Sequence, residues 1–176
     1  MRATPRLIPA SFILVLVTMF ISLAGCERQR PRVAVGQVIP RTELHDMSGA
    51  RVVIPDDIRG DVVVVRFWAD CCSYNIYEME AVHIMHVRYS DRGFSVITVY
   101  SGNSKETARG FIDELKIPYP VLLDVGGEVA GRFGISRLPT TFILDRNGVI
   151  REKIIGDTER QTWRDRYDGV IAALLQ

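Results

Sequence analysis

Residues 61–69, DVVVVRFWA, constrain this chain more than any other stretch. β-Branched and aromatic side chains favour extended backbone, and a run with no polar alternation reads as a strand covered on both faces. Such a strand needs structure packed on each side, so it predicts the centre of a sheet with helices above and below. Arg66 interrupts the run. A guanidinium inside a covered strand needs a counter-charge, unless it reaches solvent at the sheet edge, and both readings stay open.

The flanking sequence supplies an order of elements. TELHD and RVVIP flank the turn MSGA as a small hairpin over Thr42–Pro55. Met79, Val82, Met85, Val87 and Tyr89 mark a helix beginning just after Cys72, within residues 73–90. FSVITVYS (residues 94–101) is a second covered strand. Asn103 and Glu106 form a capping box opening a helix through Lys116 that buries Ala108, Phe111, Ile112 and Leu115. YPVLLD reads as a short strand and GGEVAGRFG as a short helix ending at Gly134. TTFILD and VIREKII are strands joined through Asn147-Gly148, a strong hairpin signal. A last helix starts near Thr158 and presents Trp163, Tyr167, Val170, Ile171 and Leu174 on one face; Gly169 weakens it by about 1 kcal/mol relative to alanine. The expectation is an α/β domain: a central mixed sheet flanked by helices, with an N-terminal β-hairpin extension.

The N-terminus reads as a processing signal. Arg2 and Arg6 precede an uncharged apolar run, and Leu23-Ala24-Gly25-Cys26 closes it. That ending resembles the lipobox of bacterial lipoproteins, in which the cysteine receives a diacylglycerol. Residues 1–25 are then the signal peptide, Cys26 the lipid anchor, and residues 26–35, polar and Pro-interrupted, a tether to a domain over 36–176. The alternative is an uncleaved membrane anchor. Glu27 stands where an inner-membrane retention signal places aspartate, so an outer membrane, periplasm-facing address is the default for a source with two membranes. Removing residues 1–25 takes away two arginines and no acid, leaving the acids ahead by one. No strong field for nucleic acid or an anionic membrane remains. About 150 residues suffice for one domain with its own core, and two remaining cysteines make no disulfide scaffold.

Those two, Cys71 and Cys72, stand in FWADCCSYNIYEME at the end of the covered strand. The stretch is similar to Trp-Cys-x-x-Cys with its second thiol replaced by Asn75 and its tryptophan by Cys71. Together with VGQVIP, IRGDVVVVRFWA, YPVLLDVGGEVAGRFGI and LPTTFILDRNGVI, it resembles the TlpA/ResA-like branch of the thioredoxin superfamily, membrane-anchored thiol-disulfide oxidoreductases. The likeness covers nearly all of residues 36–175. It implies a thioredoxin-like fold in which Cys72 is the nucleophile at a helix start, where the helix dipole and unpaired N–H groups favour a thiolate. It implies that Pro139 is cis and that Leu138 before it pairs with an extended substrate. Glu78 matches a carboxylate used for proton handling in ResA-like members, against the plainer reading of a solvated helix residue. Arg66 occupies a position that usually carries aspartate or asparagine beneath the active site, with Trp68 close by. If Arg66 pairs with Glu78, it lowers the pKa of Cys72.

The missing thiol leaves three readings. In the first, Cys72 works alone as a thiol-disulfide oxidoreductase, with protein thiols or disulfides as clients and an external thiol or redox partner resolving it. Cys71 replaces the second thiol poorly, because neighbouring Cα atoms lie about 3.8 Å apart, below the roughly 4.4 Å of ordinary disulfides; a vicinal bridge is strained. In the second, the fold is redox-inactive and binds proteins through the cis-Pro groove. In the third, His83 and His86 join the cysteines around a soft metal, although eleven residues of helix put them about 16 Å away. The first is preferred, with no cofactor and no metal. Peroxide reduction lacks the Thr-x-x-Cys setting, since Ala69 holds the threonine place.

Overall fold

The computed structural model describes residues 33–70, 75–156 and 167–176, the side chains of 75–78 excepted. Seven strands form one sheet: β1 (Thr42–Asp46), β2 (Arg51–Ile54), β3 (Val62–Trp68), β4 (Phe94–Tyr100), β5 (Val121–Leu123), β6 (Thr140–Leu144) and β7 (Ile150–Ile155). Their spatial order is β2-β1-β5-β4-β3-β6-β7. β3, β4 and β5 run parallel; every other pairing is antiparallel. The helices are α1 (Asn75–Tyr89), α2 (Lys105–Leu115), α3 (Glu128–Arg132) and α4 (Asp168–Leu174). This is the expected thioredoxin-like architecture, and the N-terminal hairpin extends the sheet at one edge.

All seven residues of β3 are buried. Because strand side chains alternate between faces, the strand serves two cores. Val62, Val64 and Trp68 join Met79, Val82, Met85 and Tyr89 of α1 and Ile171 of α4. Val63, Val65 and Phe67 join Val129 and Ala130 of α3. Arg66 follows the first set and points under α1. It is 1 % exposed, which removes the solvent-facing reading. Val87, expected on the buried stripe of α1, is 66 % exposed; two residues beyond Met85, it has turned to the opposite side of the helix.

Local chemistry fixes the connections. The cap of α2 is Ser104, whose hydroxyl accepts from the Thr107 N–H at 3.1 Å; the expected capping residue, Asn103, has its amide elsewhere. Asp124 accepts from the N–H groups of Val129 and Ala130, both at 2.9 Å, and from the Ser101 hydroxyl at 3.0 Å, stapling β5 and the end of β4 to α3. At the β6–β7 turn, Asp145 accepts from the N–H groups of Asn147 and Val149. Gly148 has φ +77°, and a β-carbon there would fall 2.9 Å from Pro55, so glycine is required twice over.

Packing reaches further back than the expected tether boundary at residue 36. Val33 is buried in the α3-side core, its carbonyl accepts from Lys153 Nζ at 2.8 Å, and Gly36 donates to the Ile150 carbonyl. Residues 33–35 therefore belong with the domain. Cys26, expected to carry the lipid, and the expected start of the last helix near Thr158 lie outside the described residues. No described helix is long and apolar enough to cross a membrane.

Candidate functional site

The parallel strands β3, β4 and β5 all end on the same edge of the sheet, the edge at which open α/β sheets gather their ligand sites. β6 arrives there from the opposite direction. Its first residue, Thr140, pairs with Phe67 near the end of β3, so the preceding Leu138–Pro139 loop stands beside Ala69 and Asp70. The Leu138–Pro139 peptide bond is cis, as the sequence led us to expect; Ile54–Pro55, which gave no such signal, is cis as well. Hydrogen bonds hold the loop. The Thr140 hydroxyl donates to the Arg137 carbonyl at 2.7 Å, and the Gly156 N–H donates to the Pro139 carbonyl at 2.8 Å. Pro139 is buried and Leu138 half-buried.

Cys71 and Cys72 follow Asp70 directly in the chain but lie outside the described residues, as do the side chains of Asn75 and Glu78. The α1 backbone begins at Asn75. Glu78 lies on the α1 backbone four residues before Val82, and Met79, Val82 and Met85 form the helix stripe that packs on β3. Below that stripe lies a band of polar side chains across the sheet. Arg66 pairs in register with Thr98 on β4 and Thr141 on β6, and its Nη1 donates to the Thr141 hydroxyl at 3.0 Å. Tyr119 closes the band. Burial pushes its hydroxyl pKa up, with the Arg66 charge acting in the other direction, and the hydroxyl donates to the Met79 sulfur at 3.9 Å. Trp68 is fully buried, edge-on to Tyr100 at 5.0 Å.

Sequence reasoning missed a second group of residues at the same edge. The Tyr100 hydroxyl donates to Asp70 Oδ1 at 3.1 Å, and the Asn103 amide donates to Asp70 Oδ2 at 3.5 Å. Burial, then the bond to Asp70, raises the pKa of Tyr100. The signal was the register that sets Trp68 opposite Tyr100, which only the paired strands reveal. The two histidines diverge: His83 is exposed, while His86 packs edge-on against Tyr119 at 5.7 Å. Among the described residues no three His, Cys, Asp or Glu side chains cluster around a metal-sized space.

The sequence matches the AhpC/TSA family over residues 35–153, two thirds of the chain. The chain belongs to the AhpC/TSA family. Within it, the relatives are ResA-like thioredoxin-fold proteins. The thiol-disulfide oxidoreductase ResA of Geobacillus thermodenitrificans is 25% identical over 173 residues, 97% of this chain and 99% of its own. ResA of Oceanobacillus iheyensis is 28% identical over 147 residues, 82% of this chain and 77% of its own. A crystal structure from Chlorobium tepidum, assigned as the thiol:disulfide interchange protein DsbE, superposes with a TM-score of 0.75 at 25% identity, covering 82% of this chain and 99% of that one. This AhpC/TSA member therefore carries the thioredoxin-like fold of thiol-disulfide oxidoreductases, with Arg66 buried beneath its site.

Proposed function

We propose that this protein is an extracytoplasmic thiol-disulfide oxidoreductase that works through one nucleophile, Cys72, and is anchored through a lipid on Cys26 after removal of residues 1–25. The observation that carries the reading is the register of β6 on β3, which brings the Leu138–cis-Pro139 loop to the strand end from which Cys71 and Cys72 depart. The names of its ResA relatives support the reaction class. In the first step the Cys72 thiolate attacks one sulfur of a client disulfide. A Cys72–client bond forms, the client's bond breaks, and the departing client sulfur leaves with the electron pair and takes up a proton. Asn75 stands in the second-thiol position and cannot attack, so an external thiol completes the cycle. It displaces the client from Cys72, and a second external thiol then frees Cys72 and leaves as a disulfide with the first. The clients are protein disulfides lying extended along Leu138, and no cofactor or metal is needed.

Glu78 and Arg66 tune the nucleophile in this account. The place of Glu78 in the first turn of α1 and the burial of Arg66 on the sheet face beneath that helix favour a pair between them, which relieves Cys72 of an uncompensated carboxylate and lowers its pKa. Cys71 fills the place of a tryptophan beside the site. Asn75 also favours a second reading, a redox-inactive fold that binds proteins along the same loop. Disulfide reduction by the full chain in non-ionic detergent, with and without added small thiol, separates the two. Turnover that requires the small thiol and vanishes in Cys72→Ser supports the oxidoreductase; no turnover under either condition leaves the binding module.

A further inference from the structure

Arg137 takes no part in the steps above, yet it is exposed and stands one residue before the Leu138–cis-Pro139 bond. Its backbone is held in place, because its carbonyl accepts the Thr140 hydroxyl at 2.7 Å. Its side chain lies along Gly156, at the end of β7. A β-carbon on that buried glycine would fall 3.3 Å from Arg137 Cδ and 3.8 Å from Nη1, so glycine is what lets the arginine lie so close. The same Gly156 donates its N–H to the Pro139 carbonyl at 2.8 Å, which ties the loop to the strand end that the arginine lies along. Arg137 makes no ion pair among the described residues. Asp70, the carboxylate at the same edge, is engaged on the other flank, towards β4, where Tyr100 and Asn103 donate to its two oxygens. Gly102 permits that contact, since a β-carbon there would fall 2.2 Å from the Tyr100 hydroxyl oxygen and 2.6 Å from Asp70 Oδ1. The β7 flank of the loop therefore presents a positive charge to whatever lies on it.

We propose that Arg137 selects the client, favouring disulfides flanked by acidic residues over disulfides flanked by basic ones. The inference rests on the oxidoreductase reading and adds to it the class of client, an acidic extended segment lying on the Leu138–Pro139 loop. The Cα atoms of Arg137 and Leu138 are neighbours about 3.8 Å apart, so a segment paired with Leu138 brings its own side chains within reach of the guanidinium. The planar fork of donors on that group suits a carboxylate. An exposed pair of this kind adds little affinity, but attraction of an acid and repulsion of a base act together and change the ratio of their rates about five-fold in dilute buffer. Salt at molar concentration screens most of that away.

The test uses the full chain in non-ionic detergent with Cys26→Ser and Cys71→Ser, which leaves Cys72 as the sole thiol of three. The probes are two short peptides, each with one central cysteine carried as its pyridyl mixed disulfide. One has glutamate at the second position on each side of the cysteine, the other lysine. The protein thiolate attacks the peptide sulfur, and a protein–peptide S–S bond forms as the bond to the pyridyl sulfur breaks. The electron pair leaves on pyridinethiolate, which takes up a proton; the protein thiol is oxidised and the pyridyl sulfur reduced. Pyridinethione release gives a second-order rate constant for each peptide. The ratio of the two is compared between the parent chain, Arg137→Gln and Arg137→Lys, so that the intrinsic reactivities of the peptides cancel. The inference expects the glutamate-to-lysine ratio to fall about five-fold in Arg137→Gln at low salt, to persist in Arg137→Lys, and the difference to shrink at high salt. An unchanged ratio in Arg137→Gln, both rates shifted by one common factor, or a loss in Arg137→Lys equal to that in Arg137→Gln overturns the inference while leaving the oxidoreductase standing. No release from either peptide overturns both.

Discussion

Arg66 shows how far a single residue can be understood from sequence. Its place in an otherwise apolar run left open whether it is buried with a partner or reaches solvent at the sheet edge, and the structure decides for burial, with Nη1 on the Thr141 hydroxyl. Replacing it by methionine removes the positive charge beneath α1, so Cys72 should ionise at higher pH and its alkylation at neutral pH should slow several-fold, as a thiol-alkylation series measures. His86 makes a different prediction. Burial, reinforced by the charge of His83, lowers its pKa, so the unfolded chain takes up a proton first as the pH falls. Stability is therefore lost below the ordinary histidine pKa of about 6.5 and continues to fall until the lowered value is passed. Urea denaturation at several pH values should show that acid-side loss reduced in His86→Gln. Asp70 and Tyr100 gave no comparable sign, because an aspartate beside a cysteine and a tyrosine at a strand end are each unremarkable until the strands are paired.

Among the elements, strands were the most legible. The all-buried β3 and the nearly all-buried β4 followed from β-branched runs, and the β6–β7 turn from Asn147-Gly148, because each signal is local. Helix ends were read less well. The choice between Asn103 and Ser104 as the cap of α2 depends on where Asp70 lies, and Asp70 is 33 residues away in the chain. Ser104→Ala should cost about 1 kcal/mol of stability through loss of the Thr107 N–H bond, whereas Asn103→Ala should leave α2 intact and loosen Asp70. Thermal or urea unfolding distinguishes them. Gly102→Ala is the harsher change. It forces the Tyr100 ring or the loop to move and should cost about 1–3 kcal/mol by overpacking, read in the same unfolding series.

For the whole molecule, the order of elements and the chained motifs were enough to specify a thioredoxin-like sheet with its hairpin extension, and the family match and strand order agree. The sequence could not show which ends of which strands converge. Antiparallel β6 delivers the cis-Pro loop to the same edge as β3 and β4, and that convergence turns separate motifs into a site. Bonding of Val33 to Phe133 and Lys153 also carries the described domain back to residue 33, three residues before the boundary read from composition. The account as a whole depends on Cys72 being an accessible thiolate under physiological conditions. The measurement that tests it most directly is the rate of alkylation of Cys72 against pH in the Cys26→Ser, Cys71→Ser chain. The account predicts a midpoint clearly below the ordinary thiol value of about 8.5. A midpoint at or above that value, with slow alkylation throughout, would contradict it.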